Sequence, residues 1–297
     1  MTLSKGLVVA HLGQGIAVEV GEQTILCQTI RKLEQVTVGD QVLISLSPEG
    51  NGRVEQILSR RSVLQRPGRN DQIRPVAANI DNVFVVLAAE PECDFLLLDQ
   101  YLAICENCNI EAGMIFNKID LSHHDVMEQE LIYYQSLNYQ VHRVSVIRNI
   151  GMEALRMILS DKTSMFAGQS GVGKSSLTNA LIPDKDLRIN SVSETTRHGR
   201  HTTTASRLYH LPGGGDLIDS PGVAIFGLAG FSEAQLAWGY REFQSLINQC
   251  RYNDCRHVND KDCAVRAAVE TGTISASRYR RFLKLREKIP SVNYARP

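Results

Sequence analysis

The stretch Gly168-Gln-Ser-Gly-Val-Gly-Lys-Ser175 decides the fold of this 297-residue chain. It matches the pattern G-x-x-x-x-G-K-[ST] in full, with the strand-like residues 164–167 before it and the helix-forming residues 175–182 after it. Glycines let the backbone wrap closely, so that consecutive N–H groups face phosphate oxygens, and the helix N-terminus adds partial positive charge. The stretch therefore predicts a phosphate-binding loop between a strand and a helix.

The loop pattern also predicts individual roles. Lys174 is expected to reach the β- and γ-phosphates, and the Ser175 hydroxyl is expected to ligate Mg²⁺. The other residues expected to surround the nucleotide here are Gly168, Gln169, Ser170, Gly171, Val172, Gly173 and Ser176.

A second motif, Asn117-Lys-Ile-Asp120, follows the predicted strand 112–116 and selects the base. The Asp120 carboxylate can accept hydrogen bonds from guanine N1–H and the 2-amino group, neither of which adenine offers. Asn117 suits the O6/N7 edge of the base, the Lys118 stem can stack over the ring, and Ile119 completes the motif. Together with the phosphate loop, these residues favour GTP over ATP.

A third motif, Asp219-Ser-Pro-Gly222, has the pattern D-x-x-G. It predicts a carboxylate near Mg²⁺ from Asp219 and an N–H near the γ-phosphate from Gly222. The basic segment 197–204 lies between this motif and the phosphate loop, and its three threonines suit either a switch segment or the start of a strand. Its position between two nucleotide motifs favours the switch, with Thr203 at the metal and γ-phosphate.

The order of these motifs is unusual, because the base motif precedes the phosphate loop. The predicted sheet is therefore circularly permuted, and the D-x-x-G motif lies next to the C-terminal tail. We expect that nucleotide state could pass from this motif into the tail.

Four regions of the chain differ in their pattern of apolar, charged and turn-forming residues. The first ~60 residues predict about five short strands in a small closed barrel, either of the OB type or SH3-like. Residues 60–75, which contain five Arg, predict a linker or an exposed basic loop. From Asn79 to about Gly227, buried strands alternate with helices, which is typical of a parallel α/β sheet. The last ~70 residues predict a small helical domain.

Cys250, Cys255, His257 and Cys263 form a C-x4-C-x-H-x5-C cluster in the tail. Three thiolates and an imidazole suit a closed tetrahedral zinc site, and the alternative is a set of scattered thiols. Charged and polar residues between the cysteines favour the metal, which would replace a core that this short segment cannot build.

The net charge is zero, from 32 basic and 32 acidic residues, which by itself argues against a nucleic-acid partner. Regional counts give net charges of +1 for residues 1–72, −6 for 73–228 and +5 for 229–297. We therefore interpret two basic clusters as contacts to RNA, with a solvated charged face as the alternative in each case. The clusters are Arg53, Arg60, Arg61, Arg66 and Arg69, and Arg278, Arg280, Arg281, Lys284, Arg286 and Lys288.

No segment has the length of a membrane span or the features of a signal peptide, and the seven cysteines are odd in number. We expect a cytoplasmic protein with reduced thiols.

These motifs, in this order and over essentially the whole chain, resemble the ribosome small-subunit-dependent GTPase A family. The resemblance implies a multidomain protein: an N-terminal OB-fold β-barrel (1–66), a central α/β circularly permuted P-loop GTPase domain (67–228) and a C-terminal small helical zinc-binding domain (229–297). It implies that the chain binds GTP or GDP, Mg²⁺ and one Zn²⁺, and that it binds the small (30S) ribosomal subunit and its 16S rRNA. It further implies GTP hydrolysis coupled to late subunit maturation, slow alone and stimulated by the subunit, by a protein expected to be a monomer.

The sequence departs from that family's pattern at the second base-contacting motif, which reads Val144-Ser-Val146. We expect the Ser145 backbone N–H to face the guanine. Val223 follows the D-x-x-G motif and cannot orient water, so His201 is the candidate for that role, with a phosphate-contacting or surface histidine as the alternative.

A runner-up function is a guanine-nucleotide-dependent rRNA-binding module in which hydrolysis is incidental. A zinc-dependent transcriptional regulator is disfavoured because no helix-turn-helix or tandem finger is present in the sequence. A P-loop kinase is disfavoured by the Asn117–Asp120 motif.

Overall fold

The computed structural model describes residues 3–12, 15–30, 33–47, 50–67, 72–121, 125–183, 206–219, 227–228 and 230–289, with only the backbone of 67, 125 and 126. The strands in these ranges are β1 (Ser4–Leu12), β2 (Gly15–Val20), β3 (Gln23–Thr29), β4 (Gln41–Leu46), β5 (Gly52–Ile57), β6 (Val63–Pro67), β7 (Ile73–Ala78), β8 (Asn82–Leu87), β9 (Glu111–Phe116), β10 (Gln140–Arg143), β11 (Thr163–Ala167), β12 (Arg207–His210) and β13 (Asp216–Asp219). The helices are α1 (Phe95–Asn107), α2 (Asp125–Ser136), α3 (Met152–Leu159), α4 (Lys174–Leu181), α5 (Glu233–Trp238), α6 (Arg241–Ile247), α7 (Ala264–Glu270) and α8 (Ala276–Arg286). None of these helices is long and apolar enough to cross a membrane.

The first five strands close into a barrel. The order is β1-β2-β3-β5-β4, and β4 pairs back onto β1, while β3 and β5 run parallel to each other. Alternate residues such as Val8, Val18, Ile44 and Val54 point inward and are fully buried. The predicted five-stranded barrel is confirmed, and this strand order is that of the OB-fold.

The central domain is built on a mostly parallel sheet. Its order is β10-β9-β8-β11-β13, with β12 antiparallel beside β13. Successive residues of β8 face opposite sides, so Val83 and Val85 pack on the side of α1 and α2, while Phe84 and Val86 pack on the side of α3 and α4. The predicted α/β alternation is confirmed.

The strand direction brings the nucleotide motifs to one edge of this sheet. Residue 117 directly follows β9, residue 168 directly follows β11, and Asp219 ends β13. The carboxyl ends of parallel strands share one edge, which is where open α/β sheets bind ligands.

The barrel and the central sheet are joined edge to edge. Ala10 of β1 pairs with Arg207 of β12, which makes the two sheets continuous. Beside this pairing, His210 contacts Asp216 through Nδ1 and Glu19 of the barrel through Nε2, each at 2.6 Å. Hydrogen bonds to Asp216 and Glu19 raise the pKa of His210 to about 10. The imidazolium therefore links the two domains.

The prediction of a linker or an exposed basic loop for residues 60–75 is wrong where this segment forms strands. Residues 63–67 and 73–75 of this segment lie in β6 and β7, which pair antiparallel with a register shift at Gln65, opposite Pro75. Leu64 of β6 and residues 76–78 of β7 are buried in the core. This apolar burial stabilises the two strands, although the segment is rich in Arg.

The C-terminal helices pack directly on α1 of the central domain. A Cβ on Gly239 would lie 2.6 Å from the Cα of Ala103, so the two backbones are in close contact. Below this contact, Arg278 of α8 is fully buried and donates to Asp99 of α1 at 2.6 Å and to Glu242 of α6.

The interpretation of both basic clusters as RNA contacts is wrong in part, because several of their members form intramolecular ion pairs. On α8, the Arg278, Arg281 and Arg286 side chains are 1%, 13% and 16% exposed and pair with carboxylates. In the first cluster, Arg60 pairs with the fully buried Asp40. Their long apolar stems and planar guanidinium groups allow such burial. The exposed cations on and just after α8 are Arg280, Lys284 and Lys288.

Candidate nucleotide and zinc sites

The phosphate loop lies between β11 and α4, as its sequence pattern predicts. Gly173 is the N-cap of α4 with φ of 97°, and a Cβ on this residue would lie 2.3 Å from Nδ2 of Asn117. A side chain at 173 would therefore push the base motif away from the phosphate loop. The first residues of α4, including the exposed Ser175 and Ser176, follow this cap.

The Lys174 ammonium group lies folded over the phosphate loop. Its Nζ donates to the carbonyl oxygens of Gly168 at 2.7 Å and Gln169 at 2.6 Å. Burial lowers the pKa of Lys174, and the negative charge of Asp219 opposes this effect. The Asp219 carboxylate at the end of β13 thus interacts electrostatically with the Lys174 ammonium of the phosphate loop.

The base motif is bonded to the phosphate loop through side chains. Asn117 Nδ2 donates to the Val172 carbonyl at 3.0 Å, and Lys118 Nζ donates to the carbonyls of Gly171 and Glu90, both at 2.8 Å. Asn117 is almost fully buried, and its Oδ1 has no hydrogen-bond partner among the described residues. Ile119 donates its N–H to the Val144 carbonyl, which sets the end of β10 beside the motif.

Ser145 contacts Asp120, the residue predicted to select guanine, through its side chain. Its hydroxyl is hydrogen-bonded to Asp120 Oδ1 at 2.5 Å and accepts the N–H of Arg148 at 3.1 Å. The Ser145 backbone N–H, which we expected to face the guanine, instead donates to the carbonyl of Ile150 at 3.0 Å. The buried serine therefore orients the Asp120 carboxylate, a role that sequence spacing did not suggest.

Part of the predicted site lies outside the described residues. This part comprises His201, Thr203 and Gly222. Their predicted roles in catalysis and in sensing the γ-phosphate stay predictions.

The C-terminal cluster brings four metal-ligand side chains to one point. The donor atoms of Cys250, Cys255, His257 and Cys263 all lie within 4.8 Å of one another. The sulfur atoms of Cys250 and Cys263 are 4.0 Å apart, and His257 Nδ1 lies 3.6 and 3.5 Å from them. A tetrahedron with Zn–S bonds of about 2.3 Å has S···S edges of about 3.8 Å. The residues therefore fit a closed Cys3His zinc site.

The surroundings hold the cluster in this arrangement. Tyr279 of α8 donates its hydroxyl to the His257 carbonyl at 2.6 Å, and Asp260 accepts the N–H groups of Arg256 and Val258. Burial lowers the pKa of His257, which keeps the imidazole neutral as a ligand must be. Burial raises the pKa of the Cys255 thiol to about 12, and a bound cation would oppose this shift.

Comparisons with known proteins agree with this geometry. Residues 57–229 match the family model described as RsgA GTPase. The chain is 41% identical over 293 residues to the small ribosomal subunit biogenesis GTPase RsgA of Hahella chejuensis, covering 96% of this chain and 84% of the relative. It is 42% identical over 281 residues to the protein of the same name from Chromohalobacter salexigens, covering 92% and 83%.

Two solved structures share the fold. YjeQ from Thermotoga maritima superposes with a TM-score of 0.78 at 30% identity, over 96% of this chain and 98% of that chain. YloQ, described as a circularly permuted GTPase, superposes with a TM-score of 0.74 at 26% identity, over 96% and 94%. The matched sequence, the permuted order of the nucleotide motifs and the fold establish that this chain belongs to the RsgA GTPase family.

Proposed function

We propose that this chain is a GTPase that binds the small (30S) ribosomal subunit and couples GTP hydrolysis to the late maturation of that subunit. The observation that carries the proposal is the direct bonding of the base motif to the phosphate loop, through Asn117 to Val172 and Lys118 to Gly171. The relatives named small ribosomal subunit biogenesis GTPase support the choice of partner.

In the proposed nucleotide site, Asp120 and Asn117 bind the guanine, and Ser145 orients the Asp120 carboxylate. The other proposed nucleotide contacts are residues 168–176 of the phosphate loop, Lys118, Ile119 and Gly222. Ser175 and Asp219 are proposed to hold Mg²⁺, which supplies positive charge to the β- and γ-phosphates when bound.

Catalysis in this proposal is electrostatic. Lys174 lies where its ammonium can transfer from loop carbonyls to phosphate oxygens, stabilising charge that develops in the transition state. His201 is proposed to orient the attacking water, and Thr203 is proposed to contact the metal and γ-phosphate. Slow hydrolysis without the subunit follows from the absence of a water-orienting Gln after Gly222, where Val223 stands.

One Zn²⁺ per chain, held by Cys250, Cys255, His257 and Cys263, is proposed to stabilise the C-terminal helices. The exposed cations available to 16S rRNA phosphates include Arg280, Lys284 and Lys288, and Arg66 and Arg74 on the β6–β7 hairpin. We propose that the protein acts as a monomer in the cytoplasm.

The decisive experiment measures GTP turnover by the purified protein with 30S particles, with 50S particles and with neither. We expect 30S particles to raise turnover at least tenfold and 50S particles to leave it near the level of the protein alone. Lys174→Ala serves as the control for contaminating GTPases. Nucleotide-dependent binding to 30S particles without faster turnover would support the rRNA-binding module instead, and no binding would overturn both.

A further inference from the structure

The segment before α1 is bonded to the phosphate loop through one side chain. Gln169 accepts the Asp94 N–H through Oε1 and donates through Nε2 to the Glu92 carbonyl, each at 2.8 Å. Both ends of the glutamine amide are therefore attached to the segment that leads into α1. Asp94 then caps α1 by accepting the N–H of Leu97 at 2.9 Å.

The same helix holds the C-terminal helices through one buried carboxylate. Asp99, five residues after the cap, accepts from Arg278 Nη1 at 2.6 Å and from Arg281 Nε at 2.7 Å. Five residues of α-helix span only about 7.5 Å. One short, rigid stretch of α1 thus separates the phosphate loop from α8.

The close contact between Gly239 and Ala103 gives this connection a mechanical basis. Because the backbones meet there with no room for a Cβ, a displacement of α1 must displace the C-terminal helices as well. The ion pairs of Asp99 are buried, so they are neither screened nor easily exchanged for water.

The backbone carbonyl of Gln169 shares the Lys174 ammonium that phosphates would also bind. Lys174 Nζ donates to the Gln169 carbonyl at 2.6 Å. Phosphate oxygens compete for this ammonium, so occupancy releases the carbonyl of the residue whose side chain holds the start of α1.

We propose that Gln169 is a positioning residue that links occupancy of the phosphate loop to docking of the C-terminal helices, through α1, Asp99, Arg278 and Arg281. The inference rests on guanine-nucleotide binding at this loop, as proposed above. Such a link is reciprocal, so tighter docking of α8 strengthens nucleotide binding by the same factor. This link should distinguish the GDP-bound protein from the protein without nucleotide. A signal through the D-x-x-G motif would instead distinguish GTP from GDP, because that motif is expected to contact the γ-phosphate.

The first test measures amide hydrogen exchange of α8 in the full-length protein with and without saturating GDP. We expect GDP to slow α8 exchange by about fivefold or more, the lower end of measured couplings. Gln169→Ala keeps the backbone groups of the phosphate loop and loses only the side chain that holds residues 92 and 94, so GDP concentrations raised to saturate this variant should leave α8 without the protection. The matched control is Glu92→Gln, because Gln169 is hydrogen-bonded to the backbone carbonyl of Glu92, which this substitution keeps, and it should behave like the wild type.

The second test asks whether docking of α8 affects nucleotide binding in return. It measures the affinity for a fluorescent GDP analogue in variants of α8. Arg281→Met should weaken binding of the GDP analogue by about fivefold, the factor expected for α8 exchange. In the Gln169→Ala background the same substitution should weaken binding by less than about twofold. Arg281→Lys should recover part of the loss, and Arg280→Met, at the exposed neighbour, should cause none.

The outcomes separate this inference from the proposed function. A wild-type chain that does not bind GDP would overturn the proposed function. A chain that binds GDP with no change at α8, or a Gln169→Ala variant that keeps the full GDP effect, would overturn only the link through Gln169.

Discussion

Arg278 of α8 donates to Asp99 of α1 at 2.6 Å, and neither side chain reaches solvent. The guanidinium also lies over the rings of Tyr134 and Tyr240, at 4.9 and 4.6 Å from their centroids. An arginine from a sequence that we interpreted as an RNA-binding face is thus the central residue of an interdomain contact. Its charge stabilises the protein only while the carboxylates of Asp99 and Glu242 remain beside it.

Replacing this arginine should therefore destabilise the protein strongly. Arg278→Met leaves two buried carboxylates with fewer partners, and we expect a loss of about 3 to 5 kcal/mol in the free energy of unfolding. Urea denaturation followed by circular dichroism measures the change. Arg280→Met, at the adjacent exposed position, should stay within about 0.5 kcal/mol of the wild type. Equal stabilities of the two variants would contradict the buried-network interpretation.

The Ser145 hydroxyl should contribute to guanine affinity although it is not expected to contact the base. Ser145→Ala removes the hydrogen bond that orients Asp120, which is worth about 1 kcal/mol, or about a fivefold weaker binding of GDP. Titration with a fluorescent GDP analogue checks this expectation. Ser160→Ala, a half-exposed serine outside the nucleotide motifs, is the control. An unchanged dissociation constant in Ser145→Ala would show that Asp120 is held in place without it.

The zinc content should depend on the four clustered residues and not on the other cysteines. Cys263→Ser should lose the metal, and we expect faster proteolysis of the C-terminal helices in that variant. Native mass spectrometry gives the number of zinc ions per chain, with one expected in the wild type. Cys108→Ser, which changes a cysteine at the end of α1, should retain one zinc. Retention of zinc by Cys263→Ser would exclude the proposed ligand set.

The His210 bridge predicts a specific dependence of stability on pH. Because its pKa is raised to about 10, its contribution is complete below about pH 6.5, the unfolded value, and declines as pH rises toward 10. The side chain is 50% exposed, so solvent screening limits the contribution to about 1 kcal/mol. Urea denaturation should give a larger free energy of unfolding for the wild type than for His210→Gln at pH 6. This difference should decrease steadily as the pH rises to 10. A difference in the free energy of unfolding that stays constant across this pH range would show that His210 contributes through packing alone.

The sequence by itself determined the features that depend on residues close together in the chain. The glycines and lysine of residues 168–175 predict the observed loop before α4, and residues 117–120 predict selection of guanine, because both motifs act through neighbouring residues in the chain. The same holds for the alternation of the barrel strands and for the four proposed zinc ligands, which lie within fourteen positions. Their order along the chain was enough to predict the permuted sheet.

Tertiary structure alone decided which polar residues are partners. Gln169 bonds to residues 92 and 94, Ser145 to Asp120, and Arg278 to Asp99, at sequence separations of up to 179 residues. Charge along the sequence could not distinguish the buried Arg278 from the exposed Arg280, because burial is set by the face of α8 that meets α1. The physical reason is that a hydrogen bond or ion pair depends on where folding brings its two groups, whereas a loop or strand depends mainly on the residues beside it.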